Sequence, residues 1–384
     1  MNKRLQLCIP TLLGTESIVA NEVRNLGYET TEVVDGRVTF EGDAEAICIA
    51  NINLRCAERV MIKMAEFKAT SFEMLFENVK AIEWEGYIGK DCAFPVKGHS
   101  LKSALHSVPD CQSIIKKAVV SRLSEKYGIE WFEETGPLYP IQFAIMKDIV
   151  TIYIDTTGEN LYKRGYRQKG VVAPMRETLA YAMIDISRWQ GDRPFMDPFC
   201  GSGTFPIEAA MLAANIAPGM NRSFTAEKWT NFIDKKLWYD AIDEANDIMD
   251  DTVEVDIQGF DIDPAMVRIA RQNAKDAGVD HMIHFQQRAV ADLRHPKKYG
   301  FVITNPPYGE RIEEKENLPK LYREIGEAYA KLDSWSMYMI TSYEDAEKYI
   351  GRKADKNRKI YNGMMKTYLY QFMGPKPPKG NKNS

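Results

Sequence analysis

The sequence predicts an α/β protein, with a doubly wound parallel sheet in its C-terminal half preceded by α+β segments. Three observations carry that prediction. From about residue 174 to residue 372, strand-like and helix-like stretches alternate, the pattern of a parallel sheet covered by crossover helices. A glycine turn, Gly201-Ser202-Gly203, separates an apolar strand from a helix, which is where such sheets hold ligands. The first 155 residues mix short alternating strands with amphipathic helices instead.

Taken in order, residues 4–9 alternate as a strand, residues 12–26 carry apolar side chains at helical spacing, and residues 29–40 alternate again around the turn Asp35-Gly36. A helix at 44–50 completes a small α+β unit. The segment from residue 59 to about 155 reads as strand 60–67, helix 72–82, strand 92–97, helix 110–127 and strands 141–145 and 149–155. The C-terminal half reads as a helix beginning near Pro174, strand 194–196, helix 204–217 and an aromatic, charged helical insertion at 218–252. Strand 256–260, helix 264–277, strands 281–286 and 301–304, helix 318–332, strand 336–341 and a β pair near 358–361 and 367–372 follow. Residues 374–384, rich in Pro, Gly, Lys and Asn, read as a flexible tail.

A chain of 384 residues is too long for one ordinary core and suits two or three domains, and 45% hydrophobic residues suffice to fill them. No apolar stretch approaches the roughly 20 residues of a membrane helix, and the start turns polar quickly, so the expected address is the cytoplasm. Cys8, Cys48, Cys56, Cys92, Cys111 and Cys200 lie far apart, and the five histidines show no zinc spacing, so buried reduced thiols and no metal are expected. A net charge of −4 speaks against indiscriminate coating of nucleic acid, which a broadly basic face drives. Local basic clusters remain: Lys97, Lys102, Lys116, Lys117, Arg122 and Lys126; Lys163, Arg164, Arg167, Lys169 and Arg176; and Arg352, Lys353, Lys356, Arg358 and Lys359. A charge run is usually a solvated face, and three in one acidic chain raise the expectation of RNA contact.

The glycine turn lies in the run 197–204, Asp-Pro-Phe-Cys-Gly-Ser-Gly-Thr. Glycines let a backbone approach a ligand closely, and a helix starting at Thr204 offers free N–H groups. A P-loop would need Lys after the second glycine, and a nicotinamide site a third glycine where Pro206 stands, so both readings fade. Asp197 decides the ligand class. A carboxylate at the strand end would repel a pyrophosphate but balances the positive amino acid and sulfonium groups of S-adenosylmethionine. After the second strand, Asp263 precedes Pro264 and reads as an N-cap, whereas Asp261 is placed to take a ribose diol. The cofactor contacts are thus expected from Asp197, Phe199, Gly201, Gly203, Thr204, Asp261 and Ile262.

About a hundred residues on, Asn305-Pro306-Pro307-Tyr308 follows strand 301–304, hence at the same sheet edge. Alone it reads as a turn. Beside a sulfonium it reads as a grip on a planar exocyclic amine: the Asn305 side-chain oxygen and the Pro306 carbonyl accept the two N–H bonds, and the prolines fix the backbone without competing donors. Tyr308 offers a stacking face, worth about 1–3 kcal/mol per base. Orientation is the protein's main task, and no general base is needed. A base buried in a helix would have to flip out to arrive there.

With these residues the chain resembles the THUMP-domain class I RNA methyltransferases, in particular guanine-N2 enzymes like the N-terminal half of the bacterial 23S ribosomal RNA guanine-N2 methyltransferase. The resemblance rests on Arg164-Gly165-Tyr166-Arg167, Ala173-Pro174-Met175-Arg176-Glu177, the runs 197–204 and 259–264, Ile207-Glu208-Ala209-Ala210, and the run 305–311. It implies a ferredoxin-like segment at 1–58, an RNA-binding THUMP domain at 59–160, a Rossmann-like class I methyltransferase domain at 161–374 and a tail at 375–384. It also implies that Pro174 and Glu177 border the methionine end of the cofactor. From the basic clusters, Lys97, Lys102, Lys116, Lys117, Arg164 and Arg167 are expected to face RNA, ribosomal or transfer. Relatives carry an acid after the third strand for the adenine amine; Ala289 stands there, and Asp292 is its substitute. Two rivals stay open, an adenine-N6 methyltransferase on RNA or DNA and an RNA-binding module with an inactive methyltransferase domain, and the oligomeric state is not legible.

Overall fold

The computed structural model describes residues 4–167, 175–309, 312–363 and 365–378. Its elements in chain order are β1 (Leu5–Pro10), α1 (Glu16–Asn25), β2 (Thr30–Val34), β3 (Arg37–Gly42), α2 (Ala44–Asn53), β4 (Met61–Lys68), α3 (Phe72–Lys80), β5 (Val96–Leu101), α4 (Val108–Tyr127), β6 (Ile141–Met146) and β7 (Ile149–Asp155). Then come α5 (Glu177–Ser187), β8 (Phe195–Asp197), α6 (Thr204–Ala213), α7 (Lys235–Asp247), β9 (Ile257–Asp261), α8 (Pro264–Asp276), β10 (Ile283–Gln287), β11 (Phe301–Thr304), α9 (Ile312–Ala330), β12 (Ser336–Thr341), α10 (Ala346–Ile350), β13 (Lys356–Asn362) and β14 (Met365–Phe372). The chain forms two units: Met1–Thr11, Val19–Leu161 and Arg222–Ala245 make the first, and Leu12–Ile18, Tyr162–Asn221 and Asn246–Ser384 the second.

In the first unit one sheet of order β2-β3-β1-β4-β7-β6-β5 runs through both N-terminal segments, joined by the antiparallel β1–β4 pair. Helices begin where short polar side chains satisfy free N–H groups: Asp43 accepts from Ala46 N at 3.1 Å and Ser71 from Met74 N at 3.2 Å. The strand expected at 92–97 is displaced to Val96–Leu101. Pro95 has no N–H to give a ladder, so Ala93 makes only an isolated bridge to Leu138 and regular pairing starts after the proline. Gly98 lets this edge come close, since a Cβ there would lie 2.2 Å from the Phe143 carbonyl oxygen.

The insertion expected at 218–252 is helical in part, and its aromatic residues have a destination. Trp229 stacks on Tyr139 with ring centroids 4.3 Å apart and donates from its indole N–H to the Leu138 carbonyl at 2.8 Å. Asn231 accepts the Tyr139 hydroxyl at 2.6 Å and donates to the Tyr87 carbonyl at 2.9 Å. This stretch therefore completes the core of the first unit although the sequence places it between two strands of the second.

The second unit holds a sheet of order β10-β9-β8-β11-β12-β14-β13, parallel except for β14, which runs against β12 and β13. Chain order proceeds from β8 through β9 to β10 on one side and returns to β11 on the other. The connections thus diverge between β8 and β11, the place where open α/β sheets form a ligand crevice. One apolar cluster on one face includes Leu179, Phe205, Ala270 and Phe285; a second, on the other, includes Tyr322, Ile325, Met339 and Phe372. Helix α9 begins at Ile312, earlier than expected, because Pro319 lies inside it rather than opening it. Helix α6 stops at Ala213, ahead of the expected 217, with Asn215 at φ 53°. All six cysteines are buried thiols. Among the described residues no helix is long and apolar enough to cross a membrane, and no cluster of His, Cys, Asp and Glu could hold a metal ion.

Candidate active site

Strands β8 and β11 are parallel neighbours, Phe195 opposite Phe301 and Met196 opposite Val302, so Asp197 and Asn305 emerge at the same edge of the sheet. Asp197 is buried and its Oδ1 accepts the Thr304 hydroxyl at 2.6 Å and the Phe199 N–H at 3.1 Å. Burial pushes this carboxyl up to about 7, against the pull of those two donors. The next residue after Thr304 is Asn305, whose side-chain oxygen is buried and has no hydrogen-bond partner among the described residues. Such an acceptor costs about 1–3 kcal/mol unless something satisfies it.

The glycine turn is held on three sides. Cys200 N donates to the Phe260 carbonyl at 2.8 Å, Gly201 N to Asp261 Oδ2 at 3.0 Å, and Asn273 Nδ2 to the Ser202 carbonyl at 2.9 Å. Gly201 and Gly203 take φ of 51° and 87°, conformations that side chains disfavour. They differ in surroundings. A Cβ on Gly203 would press on Ala270 and Phe285 at 3.1 Å, whereas one on Gly201 would meet nothing within 4 Å, so the turn is open on that side.

Asp263 is the N-cap of α8, accepting from Ala265 N at 2.7 Å, as its sequence position suggests. Asp261 also has a structural task that its sequence position did not reveal: its two oxygens receive Gly201 N and, at 2.9 Å, Asp263 N. Each carboxylate oxygen keeps a lone pair for a further donor. Ile262, 71% exposed, and Asp292 line one cleft of about 670 Å³ with Gln287, Arg288 and Ala289. Phe199 is half-buried against the α9 side of the sheet.

Glu177 opens α5 and is buried; burial pushes its carboxyl up to about 7, opposed by the adjacent Arg167. Arg167 donates to Glu177 Oε1 at 3.0 Å, the Met175 carbonyl at 3.0 Å and the Thr204 hydroxyl at 3.0 Å, tying α5 to the first residue of α6. Pro174 lies outside the described residues. Pro306 is buried and Tyr308 half-buried. The Pro307 carbonyl accepts the Tyr322 hydroxyl at 3.3 Å, and that hydroxyl lies 2.6 Å from Thr341 Oγ1.

Three expected RNA contacts need correction. Arg164 is 2% exposed and pairs with Glu208 at 3.2 Å, with Tyr166 donating to the same carboxylate at 3.3 Å, so it is a core ion pair and not a surface group. Arg167 is occupied inside the turn region, as described above. Lys116 is committed too: it donates to the Phe94 carbonyl at 3.1 Å, pairs with Glu134 and lies 3.5 Å over the Phe94 ring. Lys97, Lys102 and Lys117 are exposed. Thr304 and Thr341 escaped the sequence reading because a hydroxyl at the end of an apolar strand carries no pattern of its own, and Tyr322 because on helix α9 it reads as one more apolar core position.

The crevice thus gathers Asp197, Glu177 and Asp261 around a bend with one open backbone face, beside an unsatisfied amide oxygen. That set of acceptors fits a cationic nucleoside such as S-adenosylmethionine.

Comparison with known proteins gives the same direction. Residues 164–371 match the RMKL-like methyltransferase domain, residues 6–61 the RlmL ferredoxin-like domain and residues 69–155 the THUMP domain. The chain is 46% identical over 382 residues to the Bacillus subtilis (strain 168) protein named "Putative RNA methyltransferase YpsC", covering 99% of each. It is 31% identical over 373 residues to ribosomal RNA large subunit methyltransferase K/L of Marinomonas sp. (strain MWYL1), covering 94% of this chain and 51% of that protein, about half its length. The solved structure of SMU.472 complexed with SAH superposes with a TM-score of 0.93 at 43% identity, over 98% of this chain and 100% of that one. The chain belongs to the RMKL-like methyltransferase family, whose members take their methyl group from S-adenosylmethionine.

Proposed function

We propose that the protein methylates the exocyclic N2 of a guanine in RNA, 23S ribosomal RNA foremost, by direct in-line attack of that nitrogen. The observation that carries this reading is the buried Asn305 oxygen, without a partner among the described residues, at the strand edge that also bears Asp197. Bound there, S-adenosylmethionine supplies a methyl group on a positively charged sulfur.

Asp197 and Glu177 balance the positive charge of the amino acid end, and Asp261 accepts from the ribose. Asp292 and Ile262 border the adenine. Asn305 accepts one N–H of the target amine and the Pro306 carbonyl the other, which draws the nitrogen out of conjugation and directs its lone pair. The rigid proline pair excludes competing backbone donors, and Tyr308 holds the base by its face. The methylated nitrogen then sheds its proton to solvent. The THUMP match supports RNA as substrate, and the K/L relatives, named as methyltransferases of large-subunit ribosomal RNA, support ribosomal RNA in particular.

The test is incubation with radiolabelled methyl donor and unmodified ribosomal or transfer RNA, followed by digestion to nucleosides. N2-methylguanosine is expected. Labelled N6-methyladenine, or no labelled nucleoside from either pool, overturns the reading.

A further inference from the structure

We propose that the surface beside the Asn305 loop, carried by β13, β14 and the connection from β12 to α10, binds the single-stranded RNA flanking the target nucleotide; this rests on the RNA methyltransferase reading above. The register of the sheet locates it. Thr304 pairs with Met339, Thr341 with Tyr368, and Tyr368 with Lys359. Pro306 lies two residues beyond Thr304, as Thr341 lies two beyond Met339, so Pro306, Thr341, Tyr368 and Lys359 follow one another along the edge that bears Asn305.

Half-buried tyrosines with cations beside them line this edge. Tyr322, which holds the Pro307 carbonyl, packs against Tyr343 at 4.9 Å, and Tyr343 stacks on Tyr349 at 6.1 Å with the rings 11° apart. Arg323 lies 5.1 Å over Tyr349. On the hairpin, Lys359 stands 4.9 Å from the Tyr361 ring and Lys366 5.1 Å from the Tyr368 ring. Cross-strand pairing of Lys359 with Tyr368 and of Tyr361 with Lys366 puts all four on one face of the sheet, with Arg358 on the other. Arg323, Lys359 and Lys366 are exposed.

Single strands are held by aromatic faces that accept any base and by cations that follow the backbone. A nucleotide drawn out of a helix also needs its neighbours held outside it. Glu344 and Asp345, exposed on the same connection, keep the patch mixed in sign, so the tyrosine faces rather than a dense row of cations carry the binding.

The test uses the full chain, a fluorescein-labelled single-stranded RNA of about 12 nucleotides and its blunt duplex, read by anisotropy. Lys359→Glu combined with Lys366→Glu is expected to weaken single-strand binding about tenfold or more and to lower the salt slope by about 1.4, two phosphate contacts' worth. Melting temperature and S-adenosylmethionine affinity should stay unchanged. Tyr361→Ala should weaken binding about tenfold, the loss of one stacked base, and Tyr361→Phe should restore it. Unchanged single-strand affinity in the folded double variant, or an equal loss on the duplex or on DNA of the same sequence, overturns the proposal. If the unaltered protein transfers methyl to no RNA, the underlying reading fails. If it does transfer and the double variant keeps its KM for RNA, only this surface fails.

Discussion

Thr304 donates its hydroxyl hydrogen to Asp197 at 2.6 Å, joining the ends of two adjacent parallel strands, one carrying the candidate cofactor carboxylate and the other leading into Asn305. The two halves of the site are thus held at one edge by this buried bond as well as by the strand pairing. The geometry has consequences for pH, turnover and stability.

Burial pushes both Asp197 and Glu177 up to about 7, far above ordinary carboxyl groups. Between about pH 4 and 7 these two groups therefore keep protons in the folded protein that they lose in the unfolded chain, and their contribution to apo stability falls as pH rises through that window and is level above it. A cationic cofactor favours the ionised forms. Its affinity should rise several-fold from pH 6 to pH 8, with protons released on binding at pH 6, as calorimetry would record. Asp197→Asn should raise the melting temperature at pH 8 and weaken cofactor binding; a flat affinity profile in the unaltered protein would refute the assignment.

Asn305→Ala should lower kcat about 100-fold or more, the scale of losing one preorganised transition-state contact. Cofactor affinity should change little, and the melting temperature should not fall, because the variant removes a buried acceptor with no partner among the described residues. Single-turnover kinetics and calorimetry separate these effects. A large loss of cofactor affinity with intact turnover would place Asn305 in the wrong half of the site.

Asp261→Ala should do the opposite, weakening cofactor binding about tenfold or more while turnover at saturation changes little. Part of that loss comes through the bend itself, since Asp261 also anchors Gly201 N.

In the chain of hydroxyls beneath the proline pair, Tyr343 N donates to Thr341 Oγ1 at 3.0 Å, and Tyr322 donates to Pro307. Thr341 must then give its own hydrogen to Tyr322. Tyr322→Phe breaks this chain and leaves the loop less firmly placed. A kcat loss of about tenfold is expected, short of the roughly hundredfold that a 1 Å misplacement brings, with cofactor KM unchanged. An unchanged kcat would remove Tyr322 from any positioning role.

Arg164→Met strands the Glu208 carboxylate in the core and should cost about 3–5 kcal/mol of stability by denaturant titration. Arg164→Met with Glu208→Leu should recover most of that loss, and single-stranded RNA affinity should not respond to the pair.

Much of this was legible beforehand because it depends on local chemistry. The expected strands 301–304 and 336–341 match β11 and β12 residue for residue, and the Asp263-Pro264 pair announces its own cap. What stayed hidden depends on residues distant in sequence. Arg164 and Arg167 look alike in a basic run, yet one is sealed against Glu208 and the other spans Glu177 and Thr204, and no local pattern tells a buried guanidinium from an exposed one. The start of β5 was misread because alternation in 92–97 ignored the missing N–H of Pro95.

The stacking of Trp229 on Tyr139 reaches across some ninety residues of intervening chain. Because a ribosome delivers the polypeptide from its amino end, the first unit waits for its missing wedge until translation is well past the glycine bend. A fragment cut at residue 161 would be born without that wedge, leaving Tyr139 bare. Engineering a stand-alone RNA-recognition module from this protein therefore requires grafting residues 222–245 back on, rather than truncating.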